Sequence, residues 1–408
     1  MTTVLEKESL STKQKILAFT LTLLTFVMGT SEFVIVGLLT EVSSDLNISL
    51  AVAGTLVSGF AIAYAIGTPL LTAFVSRFPK YPLMLILISL FIVGNVISAL
   101  SGSYELLVFS RIITAVVSGV LVALSMSIAS EIMPVSKKSA IIALVFAGFT
   151  ISNVIGVPVG TLIGQLGSWQ LTFWFTALLG VISLAISIFI LPKNLQVQKG
   201  SVKEQLGLLA NPRIILAFFI PTFSIAGTYT IYTYITPIME EGLGIPTRYI
   251  SIILLAYGAF SILSNVLAGK IASRDGVSKL RYVFLIQAVI LGSLYFTMES
   301  TYAGLISLML MAVMIYAMNA TIQLYLMNLA ELYFPAAKDF ASSLTPVAVN
   351  IGIALGATIG GYVVANESLI QLSWVGGLCA LIASGLAVVS YRMDKKEESF
   401  SGSEVYEG

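Results

Sequence analysis

Twelve runs of about 20 mostly apolar residues follow one another through this 408-residue chain, and they decide what kind of solvent it needs. They cover, as spans 1 to 12, roughly 15–39, 50–73, 82–100, 105–130, 139–163, 170–191, 213–238, 250–272, 281–298, 303–329, 341–364 and 369–391. Each is long enough to cross the hydrocarbon core of a bilayer as a helix. Gly, Pro, Asn, Ser or charged residues punctuate the joints, as loops require. Barrel strands would alternate polar and apolar residues over about 10 positions, and a stretch such as LMLILISLFIVGNVISAL (83–100) does not alternate. Composition agrees: 10% charged residues cannot cover a soluble surface, which uses about 25%. The sequence therefore predicts an all-α membrane protein of twelve transmembrane helices. Met1 to Lys15 is polar, and the run that follows is too long for a signal-peptide core, so the first run is expected to stay as a span.

Several function classes drop out. Lys+Arg 21 against Asp+Glu 20 leaves a formal charge of +1, which offers no surface for nucleic acid. The lone cysteine, Cys379, cannot close an intrachain disulfide. With no histidine, zinc sites of the usual kind, histidine-based triads and haem ligation by histidine are excluded. No Gly-x-x-x-x-Gly-Lys-[Ser/Thr] run is present, so uphill work must draw on a gradient and not on ATP bound by that route. No cofactor, no metal and no enzymatic activity are expected.

The polar stretch 192–212 divides the spans six and six. The expected plan is a tail (1–14), a six-helix bundle (15–191), a linker (192–212), a second six-helix bundle (213–391) and a tail (392–408). Placing both termini in the cytoplasm leaves Arg248 outside and Arg111 within a span, with every other basic residue inside. That is the orientation the positive-inside rule selects.

The halves repeat. Ser76-Arg77 after span 2 recurs as Ser273-Arg274 after span 8, and Glu131 with Pro134 after span 4 recurs as Glu331 with Pro335 after span 10. Span 5 carries Gly156, Gly160 and Gly164; span 11 carries Gly352, Gly356 and Gly360. Repeated six-span halves mark a transporter architecture whose substrate sits near the midplane.

Four stretches resemble the major facilitator superfamily, in its twelve-span drug–proton antiporter branch, and are most similar to bacterial sugar-efflux and purine-efflux permeases. They are Thr30 to Gly59; the loop after span 2; Arg111 with Gly119 in span 4; and GFTISNVIGVPVGTLIG (148–164) in span 5. The family loop pattern is Gly-x-x-x-Asp-Arg-x-Gly-Arg. Here Thr72, Ser76, Arg77, Pro79 and Lys80 stand at its positions, so both glycines and the aspartate are replaced. The resemblance implies the major facilitator fold, export of a drug-like, purine, nucleoside or sugar solute in exchange for protons by alternating access, and a monomer in a bacterial inner or plasma membrane. It also implies that Gly156, Pro158, Gly160 and Gly164 form a tight, bent helix that limits leakage. Proton-coupled import and a non-transporting receptor on the same fold stay open.

Glu32 and Arg111 are the charged residues set well inside spans. A charge there costs about 2.5–3.5 kcal/mol on insertion scales, so it is kept where it pairs or works. A carboxyl in a poorly hydrated cavity protonates more readily, and a nearby guanidinium opposes this. The two are expected to couple protons, or else to form a static pair between spans 1 and 4. At helix ends, Glu131 and Glu331 are candidate gate charges for Arg77, Arg274, Lys138 or Lys338, with Lys80 and Ser273 in the same loops. Tyr229, Tyr232, Asn153, Tyr316, Asn319, Gln323 and Asn350 are polar residues that lipid would not tolerate. They are expected to line a weakly charged cavity for an aromatic or polyhydroxylated neutral solute or a lipophilic cation, or else to bond helix to helix. Tyr229 and Tyr232 share a helical face, and Tyr234 should point elsewhere.

Overall fold

A computed structural model describes residues 10–195, 211–272, 276–333 and 338–404. Twelve helices long and apolar enough to span a membrane lie among them: Thr12–Gly37, Leu50–Val75, Lys80–Leu100, Tyr104–Ile132, Ala140–Leu166, Trp169–Ile190, Pro212–Tyr232, Thr247–Ala272, Gly276–Thr297, Thr301–Tyr333, Leu344–Asn366 and Leu369–Lys396. They correspond one for one with the predicted spans. Phe189, Phe296 and Leu166 are exposed while Asn95, Ser110 and Ser183 are fully buried. That distribution inverts a soluble protein and suits lipid, where polar groups must be satisfied internally. Thr20, Thr22 and Thr30 do so by donating to the carbonyls of Ile16, Ala18 and Phe26, one turn back.

Three spans are less regular than apolar periodicity predicts. Span 5 passes through a π-helical turn, Ser152–Gly156, before resuming as Val157–Leu166. Pro158 has no N–H for the carbonyl of Val154, which is a known reason for a helix to change register. Span 7 ends at Tyr232, turns through Thr233 and Tyr234, and continues as Ile235–Pro237 and a π-helical turn Ile238–Gly242. Span 10 is broken between Met314 and Asn319. The Tyr316 N–H released by that break donates to Ser264 Oγ of span 8 at 2.8 Å. The helix of span 12 runs on past the predicted end at 391, to Glu404.

The chain divides into two compact units, Met1–Ile35 with Ile66–Lys199, and Val36–Ala65 with Gly200–Gly408. In the first, span 5 lies along span 1. Gly148 seats against Thr25, Gly156 against Thr30 and Gly160 against Val34, so the two helices run the same way at close range. Asn95 of span 3 is a polar hub. Its side-chain oxygen accepts from Ser31 Oγ of span 1 and Thr176 Oγ1 of span 6, both at 2.9 Å.

The second unit repeats these devices with different residues. Gly352, Gly356 and Gly360 of span 11 press on the main chain of Thr222, Ala226 and Thr230 in span 7. Gln287 of span 9 takes the place of Asn95. It accepts from Ser224 Oγ at 2.8 Å and donates to Thr228 Oγ1 at 2.8 Å, both in span 7. Gly227 of span 7 and Gly376 of span 12 meet backbone to backbone. The Tyr234 ring fills the space left by Gly54, Gly360 and Gly361, and Thr236 Oγ1 donates to Val36 O at 2.9 Å.

Candidate functional site

In the first unit, Glu32 is buried in span 1 with 6% of its surface exposed, and Arg111 of span 4 with 1%. The two residues do come together, in a way charge alone did not predict. The Arg111 guanidinium donates to the main-chain carbonyl of Ser31 and, at 2.8 Å, to that of Glu32. Two backbone acceptors of span 1 thus help to hold the guanidinium in place. Ser31 is shared with the hub, since its hydroxyl donates to Asn95. Asn95 and Thr176 thus belong to the setting of Glu32 and were missed from sequence. Short polar side chains in apolar runs are ambiguous until their neighbours are known.

In the second unit an aromatic cluster forms across spans 7, 8 and 10. Tyr229 and Tyr232 meet edge-on with ring centroids 5.3 Å apart. Tyr232 stacks on Tyr257 at 5.2 Å with the planes 27° apart. The Tyr316 phenol, in the break of span 10, lies close enough to interact electrostatically with both Tyr232 and Tyr257. Tyr257 was not singled out from sequence, although a lone tyrosine inside LLAYGAF (254–260) was an available signal. Tyr234 points away from this cluster, as expected. Its fully buried ring packs on the three glycines named above, so replacing it would open a cavity.

The remaining cavity candidates divide. Asn319 and Asn350 each bury a side-chain oxygen that has no hydrogen-bond partner among the described residues. Asn153 donates within its own helix, to Phe149 O at 3.1 Å. Gln323 is exposed. At the helix ends, Lys80 bonds Glu131 at 2.8 Å and Ser127 Oγ at 2.9 Å. Lys80 thus supplies a charge for Glu131. Arg77 is exposed and lies over the rings of Phe74 and Phe78. Glu331 is exposed. Ser273 and Arg274 lie outside the described residues. A second buried charge cluster went unforeseen: Arg213 pairs with Asp394, which also accepts from the Tyr325 hydroxyl at 2.9 Å. Asp394 was assigned to the tail because hydropathy falls there while the helix continues.

A sequence profile described as Major Facilitator Superfamily matches residues 21–332. The chain belongs to the Major Facilitator Superfamily. It is 34% identical over 376 residues to the MFS-type transporter YtbD of Bacillus subtilis (strain 168), covering 91% of this chain and 95% of that protein. It is 30% identical over 373 residues to the inner membrane transport protein YdhP of Escherichia coli (strain K12), covering 91% and 94%. Among solved structures, the nucleoside transporter NupG superposes with a TM-score of 0.75 at 14% identity, covering 93% of this chain and 99% of that one. A D-xylose-proton symporter superposes with a TM-score of 0.75 at 17% identity, covering 91% and 97%. At such identities the likeness is one of fold. As a member of the Major Facilitator Superfamily with bacterial relatives named as transporters, this chain is a multi-pass membrane transporter and not an enzyme.

Within that superfamily frame, Gly156, Pro158, Gly160 and Gly164 all prove buried, on the π-helical turn of span 5 and the helix after it.

Proposed function

We propose that this chain is a proton-coupled exporter of a small organic solute, working by alternating access. The observation that carries the reading is Glu32, a buried carboxyl inside span 1 whose adjoining main chain is gripped by the Arg111 guanidinium. A carboxyl so placed can take up and release a proton as its surroundings rearrange, and Arg111 transmits that rearrangement to span 4. Export is supported by the likeness of span 5 to the antiporter motif, now seen as a π-helical turn followed by closely packed glycines. The solute is assigned to the tyrosine cluster of spans 7, 8 and 10, and gating to the Lys80–Glu131 pair and Arg77 of the first unit and, on sequence grounds, to Ser273, Arg274 and Glu331 of the second.

The direct test is uptake into vesicles of the purified full chain under imposed pH gradients, with drugs, nucleobases, nucleosides and sugars as trial solutes. Antiport requires accumulation when the lumen is the acid side. Accumulation when the lumen is the alkaline side would make the protein a symporter. The orientation has its own check. Both termini are assigned to the cytoplasm, so Ser76 faces inward and Thr247 outward. In a Cys379→Ala background, Thr247→Cys should react with an impermeant thiol reagent in intact cells, and Ser76→Cys should react only after lysis. Labelling of both from one side would break the arrangement.

A further inference from the structure

Tyr257 is 4% exposed, and its hydroxyl is fully buried with no hydrogen-bond partner among the described residues. A buried hydroxyl left unpaired costs free energy that phenylalanine would avoid while offering the same ring. The hydroxyl lies in the cluster where Tyr257 stacks on Tyr232 and Tyr232 meets Tyr229. The same unit holds further buried polar atoms without a hydrogen-bond partner among the described residues, two of them amide oxygens. Those two are the side-chain oxygens of Asn319, just after the break in span 10, and of Asn350 in span 11. Asn350 Nδ2 donates to Pro346 O at 3.1 Å, so its free group is the acceptor. The asparagine oxygens thus need a partner that donates, and the Tyr257 hydroxyl oxygen can accept from one as well. Charge narrows the partner further. No Lys or Arg occurs between Arg213 and Arg248, between Arg248 and Lys270, or between Arg281 and Lys338. Apart from Arg213 and Lys270 near the ends of spans 7 and 8, an anion would find no counter-charge on spans 7, 8 or 10, and no carboxylate lies between Arg213 and Glu240 or between Arg248 and Asp275 to hold a cation on spans 7 and 8.

We propose that Tyr257 is a ligand-recognition residue, and that its ligand is an uncharged planar aromatic molecule carrying a hydrogen-bond donor. The ring of the ligand extends the tyrosine cluster, since aromatic pairs favour offset or edge-on contact. Its donor meets the Tyr257 hydroxyl oxygen. This rests on the transport reading only in taking the ligand to be the solute carried.

The test is equilibrium dialysis of the purified full chain at a single pH against indole, 1-methylindole and indole-3-acetate. The first two differ by the N–H donor, and the third adds a negative charge. The chain as it stands should bind indole roughly tenfold more tightly than 1-methylindole, the worth of one well-placed hydrogen bond, and should reject indole-3-acetate. Tyr257→Phe should lose that tenfold preference by weakening indole alone. Its melting temperature without ligand should stay level or rise, because an unpaired buried group has been removed. Four results would overturn the proposal: no binding of indole or 1-methylindole, equal binding of the two, an undiminished preference in Tyr257→Phe, or a lowered melting temperature with both probes weakened alike. The dialysis imposes no pH gradient. A failure of proton coupling therefore leaves the Tyr257 result standing, and the reverse also holds.

Discussion

Glu32→Gln should reduce transport driven by a pH gradient to the level of protein-free vesicles, while exchange of labelled for unlabelled solute without a gradient continues. Glutamine keeps the shape and hydrogen-bonding capacity of the side chain and removes only the exchangeable proton. The Arg111 hydrogen bonds to the carbonyls of Ser31 and Glu32 do not use the carboxyl. Packing of spans 1 and 4 should therefore survive, and the loss should appear in coupling alone. Arg111→Lys should fail differently. One ammonium lacks the planar fork that reaches two acceptors at once, so the span 1–span 4 contact loosens and the melting temperature falls along with transport. Gradient-driven transport at the normal rate in Glu32→Gln would remove this carboxyl from the mechanism.

Gly227→Val should prevent most of the chain from accumulating as a monodisperse protein, and Gly227→Ala should lower stability by about 1–3 kcal/mol, the usual cost of overpacking. A Cβ at Gly227 would lie 2.6 Å from Gly376 O, and one at Gly376 would lie 2.7 Å from Gly227 O. Both obstacles are backbone, which has no rotamer to give. Membrane helices associate through such close approaches, since lipid supplies no hydrophobic drive between them. Gly292→Ala is the control, because a Cβ there meets nothing within 4 Å. Alanine is the better helix former by about 0.8–1.0 kcal/mol, so the control should melt no lower than the parent. If Gly227→Ala and Gly292→Ala melt alike, spans 7 and 12 are not held by this contact.

Helix number and approximate limits were legible because hydropathy is a property of the one-dimensional chain, and a bilayer imposes one length on every span. The glycine repeats at 156 and 160 and at 352, 356 and 360 were legible for a related reason. Their spacing puts them on one helical face, and the structure finds each set pressed on span 1 or span 7. What the sequence withheld depends on which side chain meets which. Asn95 and Gln287 look alike on paper to Asn153 and Gln323, yet the first two are buried hubs. Asn153 bonds its own helix and Gln323 is exposed. The Lys80–Glu131 pair was obscured because basic residues crowd the same loops. Arg77 was the family arginine, but aromatic rings at Phe74 and Phe78 take it instead. The break in span 10 carries neither Pro nor Gly between Met314 and Asn319. It is stabilised from outside the helix, by Ser264, which local propensity cannot register.

The halves share a glycine stripe and an amide hub but not an arginine. Arg111 is the eighth residue of its helix, and the eighth residue of the corresponding helix, Thr301–Met314, is Leu308. In the exchange proposed above, with Glu32 as its one coupling carboxyl, a single proton would be exchanged for each solute. For an uncharged solute that exchange moves one positive charge inward with every turnover, so the membrane voltage drives it alongside the pH difference. Each pH unit then sustains about a tenfold concentration ratio across the membrane. Each 100 mV adds about 2.3 kcal/mol, roughly another fiftyfold. A cell with no pH difference but a resting potential could then still keep such a solute out, and that product of two factors would be the steepest gradient the proposed exchange could hold.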